Sequence, residues 1–387
     1  MIIGVDASNI RGGGGFTHLF ELLRVVEPEE YNIARVIVWG GKKTLAALED
    51  YPWLEKVSPP IFDKGLLERA YWQRFKLSGV AKALGCDVLF VPGGTYAGSF
   101  RPFVTMNQNL LPFEWGEMQR YGWSLTTLRL LLLRWTQSSS FRRADGVIFL
   151  TGHAKNSVIK VTGQLNGLTQ IIPHGLNPRF MREPGAQWPN SNYSEVRPCR
   201  LLYVSIIDQY KHQWNVVEAV EILRNESFPL TLDLIGPAYP PALMRLNEAI
   251  ARLDPERSWV HYHGAIPFNE LHLQYERADI GVFASTCETF GIILLETMAA
   301  GLPIACSDRG AMQEILGEAG VYFDPENPYD IADALRQLIK SSELREQKAH
   351  AAFKRAKEFS WERCADETLC FLGKVVAENH CNNEPMS

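Results

Sequence analysis

Two carboxylates in one short stretch are the clearest candidates for chemistry. Glu288 and Glu296 have seven residues between them and follow the apolar run 280–283, which is typical of a buried strand. Gly291 lies at the predicted turn from this strand into a helix, where backbone N–H groups can face an anion. Diphosphate oxygens suit such amides, and sugar hydroxyls suit the carboxylates. The stretch therefore predicts a nucleotide-sugar site.

A run of four glycines is a second candidate. Gly12 to Gly15 follow the apolar run 2–5 and precede apolar residues at helical spacing over 16–26. A strand, a glycine loop and a helix can hold an anion with backbone amides. Four glycines alone are a weak signal, so a flexible loop is the alternative.

The hydrophobic pattern predicts two similar scaffolds for these residues. Predicted strands and helices alternate up to residue 173, including one long helix over 66–84, and alternate again over 200–340. Repeated strand–helix units are typical of parallel sheets covered by helices, whose ligands lie at the carboxyl ends of the strands. We predict an α/β fold of two Rossmann-like domains that face each other across a cleft.

The same pattern sets the domain boundaries. We predict an N-terminal domain over 1–178, a proline-rich polar linker over 179–199 and a C-terminal domain over 200–360. A last helix with a polar tail occupies 361–387.

Composition and charge exclude some classes of protein. A chain of 387 residues with 46% hydrophobic and 21% charged residues is typical of a globular protein. The net charge of -5 argues against nucleic-acid binding, which favours a basic excess.

Cysteine usage and the N-terminus bear on the compartment. The seven cysteines are scattered without a Cys-x-x-Cys pair, which favours reduced thiols over a zinc site or a disulfide framework. The N-terminus lacks the pattern of a signal peptide, and no run reaches the ~18 apolar residues of a membrane span. We expect a cytoplasmic protein.

The stretch Glu288-Thr289-Phe290-Gly291-Ile292-Ile293-Leu294-Leu295-Glu296 resembles the Glu-x7-Glu signature of the retaining glycosyltransferases of family four, which have the GT-B architecture. The Gly12 to Gly15 loop, the turn Pro173-His174-Gly175 and Lys211 after the predicted strand 201–204 support this resemblance. It covers nearly the whole chain. It implies that the first domain binds the acceptor, that the second binds the donor, and that the last helix crosses back to the first domain.

The resemblance also implies residue roles. Glu288 would face the reacting carbon of the donor hexose, and Lys211 would neutralise the departing diphosphate. Glu296 would bind the ribose hydroxyls, ~12 Å from Glu288 along the axis if the residues between them are helical. The predicted donor contacts are Gly13, Gly14, Gly15, Ser205, Lys211, Ile266, Thr289, Phe290, Gly291, Ile292, Ile293 and Glu296.

Two departures from the family pattern bear on the mechanism. Ser205-Ile206 stands where the family usually has Gly-Arg, so a phosphate-binding arginine is missing. Asn107-Gln108-Asn109 stands where the family often has a histidine, which puts a general base from this loop in doubt. Gln108 or Asn109 would orient an acceptor hydroxyl by hydrogen bonding.

The resulting hypothesis is retaining transfer of a hexose from a nucleotide diphosphate sugar to a hydroxyl of a glycan or lipid-linked saccharide. GDP-mannose and UDP-hexoses are both candidate donors, and synthesis of O-antigen or capsule is the expected setting. No cofactor beyond the donor is predicted, and no metal, since the sequence has no Asp-x-Asp pair. A nucleotide-sugar epimerase of the same fold and a non-catalytic sugar-binding protein are the alternatives.

Three further features have simpler explanations. His174 is predicted to be a turn residue whose backbone matters more than its ring. His261 and His263 point to one face of a strand, but no carboxylate or cysteine cluster is expected to join them, so a metal site is not predicted. The leucine- and arginine-rich segment 123–143 is predicted to be a core-packed helix, with contact to the anionic inner leaflet of a membrane as the alternative.

Overall fold

The computed structural model describes residues 1–383, which form two compact units. Unit 1 contains residues 1–118, 122–175 and the C-terminal segment from Ser360, and unit 2 contains residues 119–121 and 176–359. The polar tail predicted to end at residue 387 lies partly outside the described residues.

Unit 1 has a seven-stranded parallel sheet. Its strands, numbered along the chain, are β1 (Ile2–Ala7), β2 (Arg35–Gly40), β3 (Leu54–Val57), β4 (Val88–Val91), β5 (Phe103–Met106), β6 (Gly146–Phe149) and β7 (Leu168–Ile171). The helices among them are α1 (Gly14–Val25), α2 (Lys42–Ala46), α3 (Leu66–Phe75), α4 (Leu77–Ala83), α5 (Trp115–Gln119), α6 (Leu125–Arg143) and α7 (Gly152–Thr162). The strand order β3-β2-β1-β4-β5-β6-β7 reverses between β1 and β4.

Unit 2 has a six-stranded parallel sheet. Its strands are β8 (Cys199–Val204), β9 (Leu230–Ile235), β10 (Val260–Tyr262), β11 (Ile280–Phe283), β12 (Ile304–Ser307) and β13 (Gly320–Phe323). Its helices are α8 (Gln213–Asn225), α9 (Pro240–Leu253), α10 (Leu271–Arg277), α11 (Ile292–Ala299), α12 (Met312–Leu316), α13 (Pro328–Lys340) and α14 (Ser342–Ala356). The order β10-β9-β8-β11-β12-β13 reverses between β8 and β11.

Five strands of the two sheets are buried along their whole length. Every residue of β4, β5, β6, β11 and β12 is buried. Such strands have continuous apolar runs instead of alternating ones, because helices cover both faces of a parallel sheet. This burial explains why the strands were recognisable in the sequence.

The last helix, α15 (Trp361–Asn383), belongs to unit 1 and lies against α1, β4 and β6. Gly146 of β6 allows this close approach, because a Cβ atom there would lie 2.8 Å from the Val375 side chain and 2.9 Å from that of Phe371. None of the helices among residues 1–383 has both the length and the apolar character needed to span a membrane.

Residues 179–199 do not behave as a free linker. They lie within unit 2, where the Arg182 amide donates to the carbonyl oxygen of Ala299 over 2.9 Å. The Tyr193 hydroxyl donates to Asp279 over 3.1 Å. The polar, proline-rich composition therefore reflects an irregular segment that is hydrogen-bonded to the rest of unit 2.

Two helix predictions need correction. The single helix over 66–84 is divided into α3 and α4 at Lys76. The leucine stripe of α6 does not pack into the core, because Leu125, Leu128 and Leu132 are 85%, 64% and 56% exposed. The buried residues of this helix include the polar Gln137 and Ser140.

Candidate functional site

The loops that follow β8 and β11 meet where the strand order of unit 2 reverses. These two strands are neighbours in the sheet, and their connections leave in opposite directions. In open parallel sheets this arrangement leaves a crevice at the carboxyl ends of the strands, where ligands bind. The candidate site of unit 2 is built from these two loops.

The loop after β8 holds Lys211 in a defined position. The Tyr203 hydroxyl donates to the Lys211 carbonyl oxygen over 2.8 Å, and the Lys211 amide donates to the carbonyl oxygen of Asp208 over 3.1 Å. His212 follows with a left-handed backbone, φ 52°, and α8 begins after it. The loop is therefore held by a hydrogen bond from β8 and by the start of α8.

The loop after β11 is hydrogen-bonded to the loop after β8. The Thr286 amide donates to the Tyr210 carbonyl oxygen over 2.9 Å. The Thr286 hydroxyl also lies 3.3 Å from Nε2 of His212. Thr286 thus fixes the distance between the two loops, a role that sequence reasoning missed, although the residue stands two positions before Glu288.

An ion pair joins the two loops at the candidate site. The Lys211 ammonium donates to Oε1 of Glu288, and the two side chains are only 7% and 17% exposed. The ammonium also lies 4.9 Å from the ring centroid of Tyr210 and 5.3 Å from that of Phe283. Aromatic faces stabilise a cation and exclude water, which strengthens nearby charge interactions. The pair can offer a positive charge to a phosphate and a carboxylate to sugar hydroxyls.

The turn into α11 supplies backbone donors beside this pair. Gly291 has a left-handed backbone, φ 88°, and α11 begins at Ile292. The first amides of a helix have no acceptor within it and carry its positive dipole end. Because the helix starts after Gly291, the ~12 Å spacing that a continuous helix would give between Glu288 and Glu296 does not apply.

Glu296 is buried on α11. The Tyr275 hydroxyl donates to its Oε2 over 3.3 Å, and the residue is 4% exposed. Burial raises the pKa of the Glu296 carboxyl to about 8. The carboxyl is therefore mostly protonated at pH 7.

The other predicted donor residues of unit 2 lie at different depths. Ser205 is buried at the end of β8, where its hydroxyl donates to the Ile206 carbonyl oxygen over 3.0 Å. Phe290 is 1% exposed and packs on Phe359. Ile266 follows β10 at the edge of the sheet, with β9 and β8 between it and β11. The structure thus brings Lys211 and Glu288 into contact but does not show a contact between either and Ile266.

The glycine loop of unit 1 lies next to a predicted acceptor residue. Gly13 has φ 68° and caps α1, which begins at Gly14. A Cβ atom added to Gly12, Gly13 or Gly14 would meet no atom within 4 Å, whereas one on Gly15 would lie 2.8 Å from Oε1 of Gln108. The loop therefore exposes its backbone on one side and contacts the Gln108 side chain on the other.

The segment after β5 contains amides and no titratable side chain. Asn107 donates to the carbonyl oxygen of Asn109 over 3.1 Å, and Oδ1 of Asn109 accepts from the Leu111 amide over 3.1 Å. Oδ1 of Asn107 is buried without a hydrogen-bond partner among residues 1–383. This segment can orient a hydroxyl but cannot act as a base of ordinary pKa.

The ring of His174 makes specific buried contacts, contrary to the expectation that only its backbone would matter. Its Nδ1 lies 3.2 Å from Nδ1 of His18, and both rings contact Trp361. Burial lowers the pKa of His18 to about 4 and that of His174 well below its usual value. The two rings, one of them on α1, form a neutral buried cluster. Sequence reasoning missed this cluster because the two histidines are 156 residues apart.

A carboxylate does join His261 and His263, contrary to expectation. Asp233 on β9 pairs with His261 in register, and its Oδ1 lies 3.5 Å from His261 and 2.6 Å from His263. It was missed because it stands on the neighbouring strand. Within the described part of the chain, no group of three or more His, Cys, Asp or Glu residues could hold a metal ion. All seven cysteines are free thiols.

Comparison with known proteins gives three kinds of match. Residues 198–341 match the family model described as "Glycosyl transferases group 1". The O-antigen chain mannosyltransferase B of Escherichia coli is 29% identical over 171 residues, which cover 43% of this chain and 44% of that protein. The chain spans about half the length of the curated relatives it matches.

Solved structures match over nearly the whole chain. The Anabaena protein Alr3699/HepE, in complex with UDP, has a TM-score of 0.68 and 19% identity, and the match covers 96% of this chain and 99% of that one. WaaG, a glycosyltransferase involved in lipopolysaccharide biosynthesis, has a TM-score of 0.69 and 17% identity over 96% and 99% of the two chains. The predicted α/β fold is confirmed. Residues 198–341 are therefore similar to the group 1 glycosyl transferases, and the chain has the two-domain GT-B fold.

Proposed function

We propose that the protein is a retaining glycosyltransferase that moves a hexose from a nucleotide diphosphate sugar to a hydroxyl group. The observation that carries this proposal is the largely buried ion pair of Lys211 and Glu288 at the strand-order reversal of unit 2. A diphosphate leaving group needs a positive charge, and a reacting sugar carbon that becomes positive needs a carboxylate. This pair supplies both within one crevice.

The reaction breaks the bond between the anomeric carbon and the diphosphate oxygen. Lys211 and the first amides of α11 stabilise the negative charge that develops on the diphosphate. Glu288 positions the hexose and stabilises the positive charge on it. The departing phosphate accepts the proton of the acceptor hydroxyl, whose oxygen bonds to the anomeric carbon from the same face. The anomeric configuration is therefore kept without a separate base.

The remaining site residues take supporting roles in this proposal. Glu296 binds the ribose hydroxyls, and Ile266 borders the base. Gln108 and Asn109 orient the acceptor hydroxyl, which agrees with the absence of a titratable side chain in the described segment 107–109. The further donor contacts are Gly13, Gly14, Gly15, Ser205, Thr289, Phe290, Gly291, Ile292 and Ile293.

The names of the similar proteins favour two classes of donor and one biosynthetic process. The E. coli relative is named a mannosyltransferase, which favours GDP-mannose, whereas the Anabaena neighbour binds UDP, which favours a UDP-hexose. The names of the E. coli relative and of WaaG support an acceptor in bacterial surface polysaccharide synthesis, either a glycan or a lipid-linked saccharide.

The test is transfer from GDP-mannose and a panel of UDP-hexoses to saccharide acceptors, with the product's anomeric configuration read by NMR. Glu288→Gln should lower the rate by about 10²–10³-fold, because it removes the charge that stabilises the reacting sugar. Glu256→Gln, on an exposed residue of unit 2, is the matched control and should leave the rate unchanged. Undiminished turnover by Glu288→Gln would overturn its role.

The same assay separates the alternatives. An epimerase would convert the donor without any acceptor, and a sugar-binding protein would bind a nucleotide sugar without turnover. We expect full activity in excess chelator. Activity that is lost with chelator and restored by Mg²⁺ or Mn²⁺ would contradict the metal-independent reaction.

A further inference from the structure

The outward face of α6 is more apolar than an exposed helix face normally is. Leu125, Leu128, Leu132 and Trp135 recur at helical spacing, and Trp135 is 71% exposed. Trp123, just before the helix, is fully exposed. Soluble proteins rarely expose a contiguous apolar stripe of this length without a binding partner.

Helix α3 continues this apolar surface. Leu67, Tyr71 and Phe75 recur at four-residue intervals and are 82%, 50% and 63% exposed. Arg74 of α3 and Trp135 of α6 line the same cavity of about 550 Å³, so the two helices border one surface of unit 1. We call this surface, formed by the exposed residues of α3 and α6, the α3–α6 face.

The cavities of the α3–α6 face are lined with arginine. A second cavity of about 540 Å³ shares Trp135 with the first, so an exposed tryptophan stands between two openings. Neither lining includes an aspartate or glutamate among the described residues. The arginines that line the two cavities are Arg74, Arg101, Arg134, Arg142 and Arg143.

Most of these guanidinium groups keep an uncompensated charge. Arg134 donates to the Pro112 carbonyl oxygen over 3.3 Å and Arg142 to that of Thr162 over 2.8 Å. Arg143 donates to the carbonyl oxygens of Tyr96 and Gly98. Among residues 1–383, Arg101 is the one arginine of this set that pairs with a carboxylate, that of Asp145. Carbonyl groups orient an arginine without neutralising it. The cavities therefore attract an anion.

We propose that the α3–α6 face docks onto an anionic phospholipid bilayer, with phosphate headgroups in the two arginine-lined cavities and with Trp135 and the leucines of α6 in the interface. Tryptophan and leucine beside arginine match the composition of interfacial helices, which combine apolar burial with attraction to anionic lipids. A phosphodiester also suits the planar donors of arginine.

A second copy of the chain fits this face less well. A two-fold contact would place the same surface on both sides, so that the arginines of one copy would meet those of the other. A bilayer surface instead brings negative charge to the arginines and an apolar layer to the leucines. It also presents any lipid-linked acceptor, so the proposed docking agrees with the proposed function without depending on it.

The test is co-sedimentation of the full-length protein with vesicles of equimolar phosphatidylglycerol and phosphatidylcholine, compared with pure phosphatidylcholine. Binding to the anionic vesicles should be stronger by more than about tenfold and should weaken with salt, since each arginine near such a surface contributes roughly fivefold. Absence of binding, or equal binding to both vesicles, would overturn the proposal. The assay uses no nucleotide sugar, so its outcome is independent of transfer activity.

Two variants locate the docking surface. The double variant Leu128→Glu/Leu132→Glu should weaken binding to anionic vesicles by about tenfold or more, and Arg74→Gln by roughly fivefold. The control Met244→Glu changes an apolar residue of unit 2 that is 65% exposed and should bind like the unchanged protein. Thermal unfolding and sedimentation velocity accompany each variant. Unchanged vesicle binding by the folded double variant, or a dimer that it dissociates, would contradict docking by this face.

Discussion

The two units place a loop and a helix start at the reversal of strand order, but they equip it differently. In unit 2 the loops carry the ion pair of Lys211 and Glu288, shielded by aromatic rings. In unit 1 the corresponding loop after β1 exposes the backbone of Gly13 and contacts the amide side chain of Gln108. At these positions unit 2 therefore offers an ion pair, whereas unit 1 offers glycine backbone and an amide side chain. In the proposed reaction, the ion pair lies where negative charge develops on the departing diphosphate.

Burial shifts the pKa of one carboxyl in unit 2 and of two imidazoles in unit 1 in opposite directions. The pKa of Glu296 in unit 2 is raised, whereas the pKa values of His18 and His174 in unit 1 are lowered, in each case because burial disfavours the charged form. Each group is thus held neutral near pH 7. Glu296 should therefore lower the stability of the protein at alkaline pH, and His18 should lower it in acid.

The largest expected effect follows from removing the positive charge of Lys211 in unit 2. Lys211→Ala should lower kcat/KM for transfer by about 10²–10³-fold, because the diphosphate loses its positive partner and Glu288 is left unpaired. Gln108→Ala, in unit 1, should lower kcat/KM by less than about tenfold, since it removes one hydrogen bond. Steady-state kinetics of both folded variants test this difference. Equal losses of kcat/KM in the two variants would contradict this difference between the two units.

Glu296 should make unit 2 less stable at alkaline pH. Its folded pKa is about 8 and its usual value is 4.5, so stability is fully present below the lower value and is lost as pH rises through the higher one. Relative to Glu296→Gln, the unchanged protein should lose about 3 kcal/mol of unfolding free energy between pH 5 and pH 8. Urea unfolding at the two pH values measures this. Parallel pH curves for the two proteins would show that Glu296 is ionised in the fold.

His18 should make unit 1 less stable in acid. Its folded pKa of about 4 lies below its usual 6.5, so the unfolded state takes up a proton first and stability falls as pH drops from about 7 toward 4. Relative to His18→Phe, the unchanged protein should lose about 2 kcal/mol between pH 7.5 and pH 5. The urea midpoint of each protein, followed by tryptophan fluorescence, gives the comparison. Equal losses in both proteins would rule out the histidine as the cause.

The smallest effect concerns the backbone of the glycine loop. Gly13→Ala should destabilise the protein by about 1 kcal/mol or more, because φ 68° with ψ -162° is a conformation that essentially only glycine adopts. Gly14→Ala is the matched control, since Gly14 has no positive φ and no atom within 4 Å of an added Cβ. Thermal unfolding distinguishes them. A destabilised Gly14→Ala with a stable Gly13→Ala would mean that contacts, not backbone strain, hold the loop.

Local patterns were sufficient to predict much of the fold. The strand Ile280–Phe283 has the bounds expected from its apolar run. The edge strand β3 was not predicted, because its half-buried residues lack a continuous apolar run. The turn at Gly291 was visible because a strand ended just before it and a helix pattern followed.

The sequence by itself determined the alternation of strands and helices, the glycines of the two loops and the carboxylates at 288 and 296, because these depend on residues close in the chain. Only the tertiary structure decided which distant residues meet. It joined Lys211 to Glu288, brought Asp233 beside His261 and turned the leucine face of α6 outward. The physical reason is that strand order and helix packing set these contacts, and neither can be read from spacing along the chain.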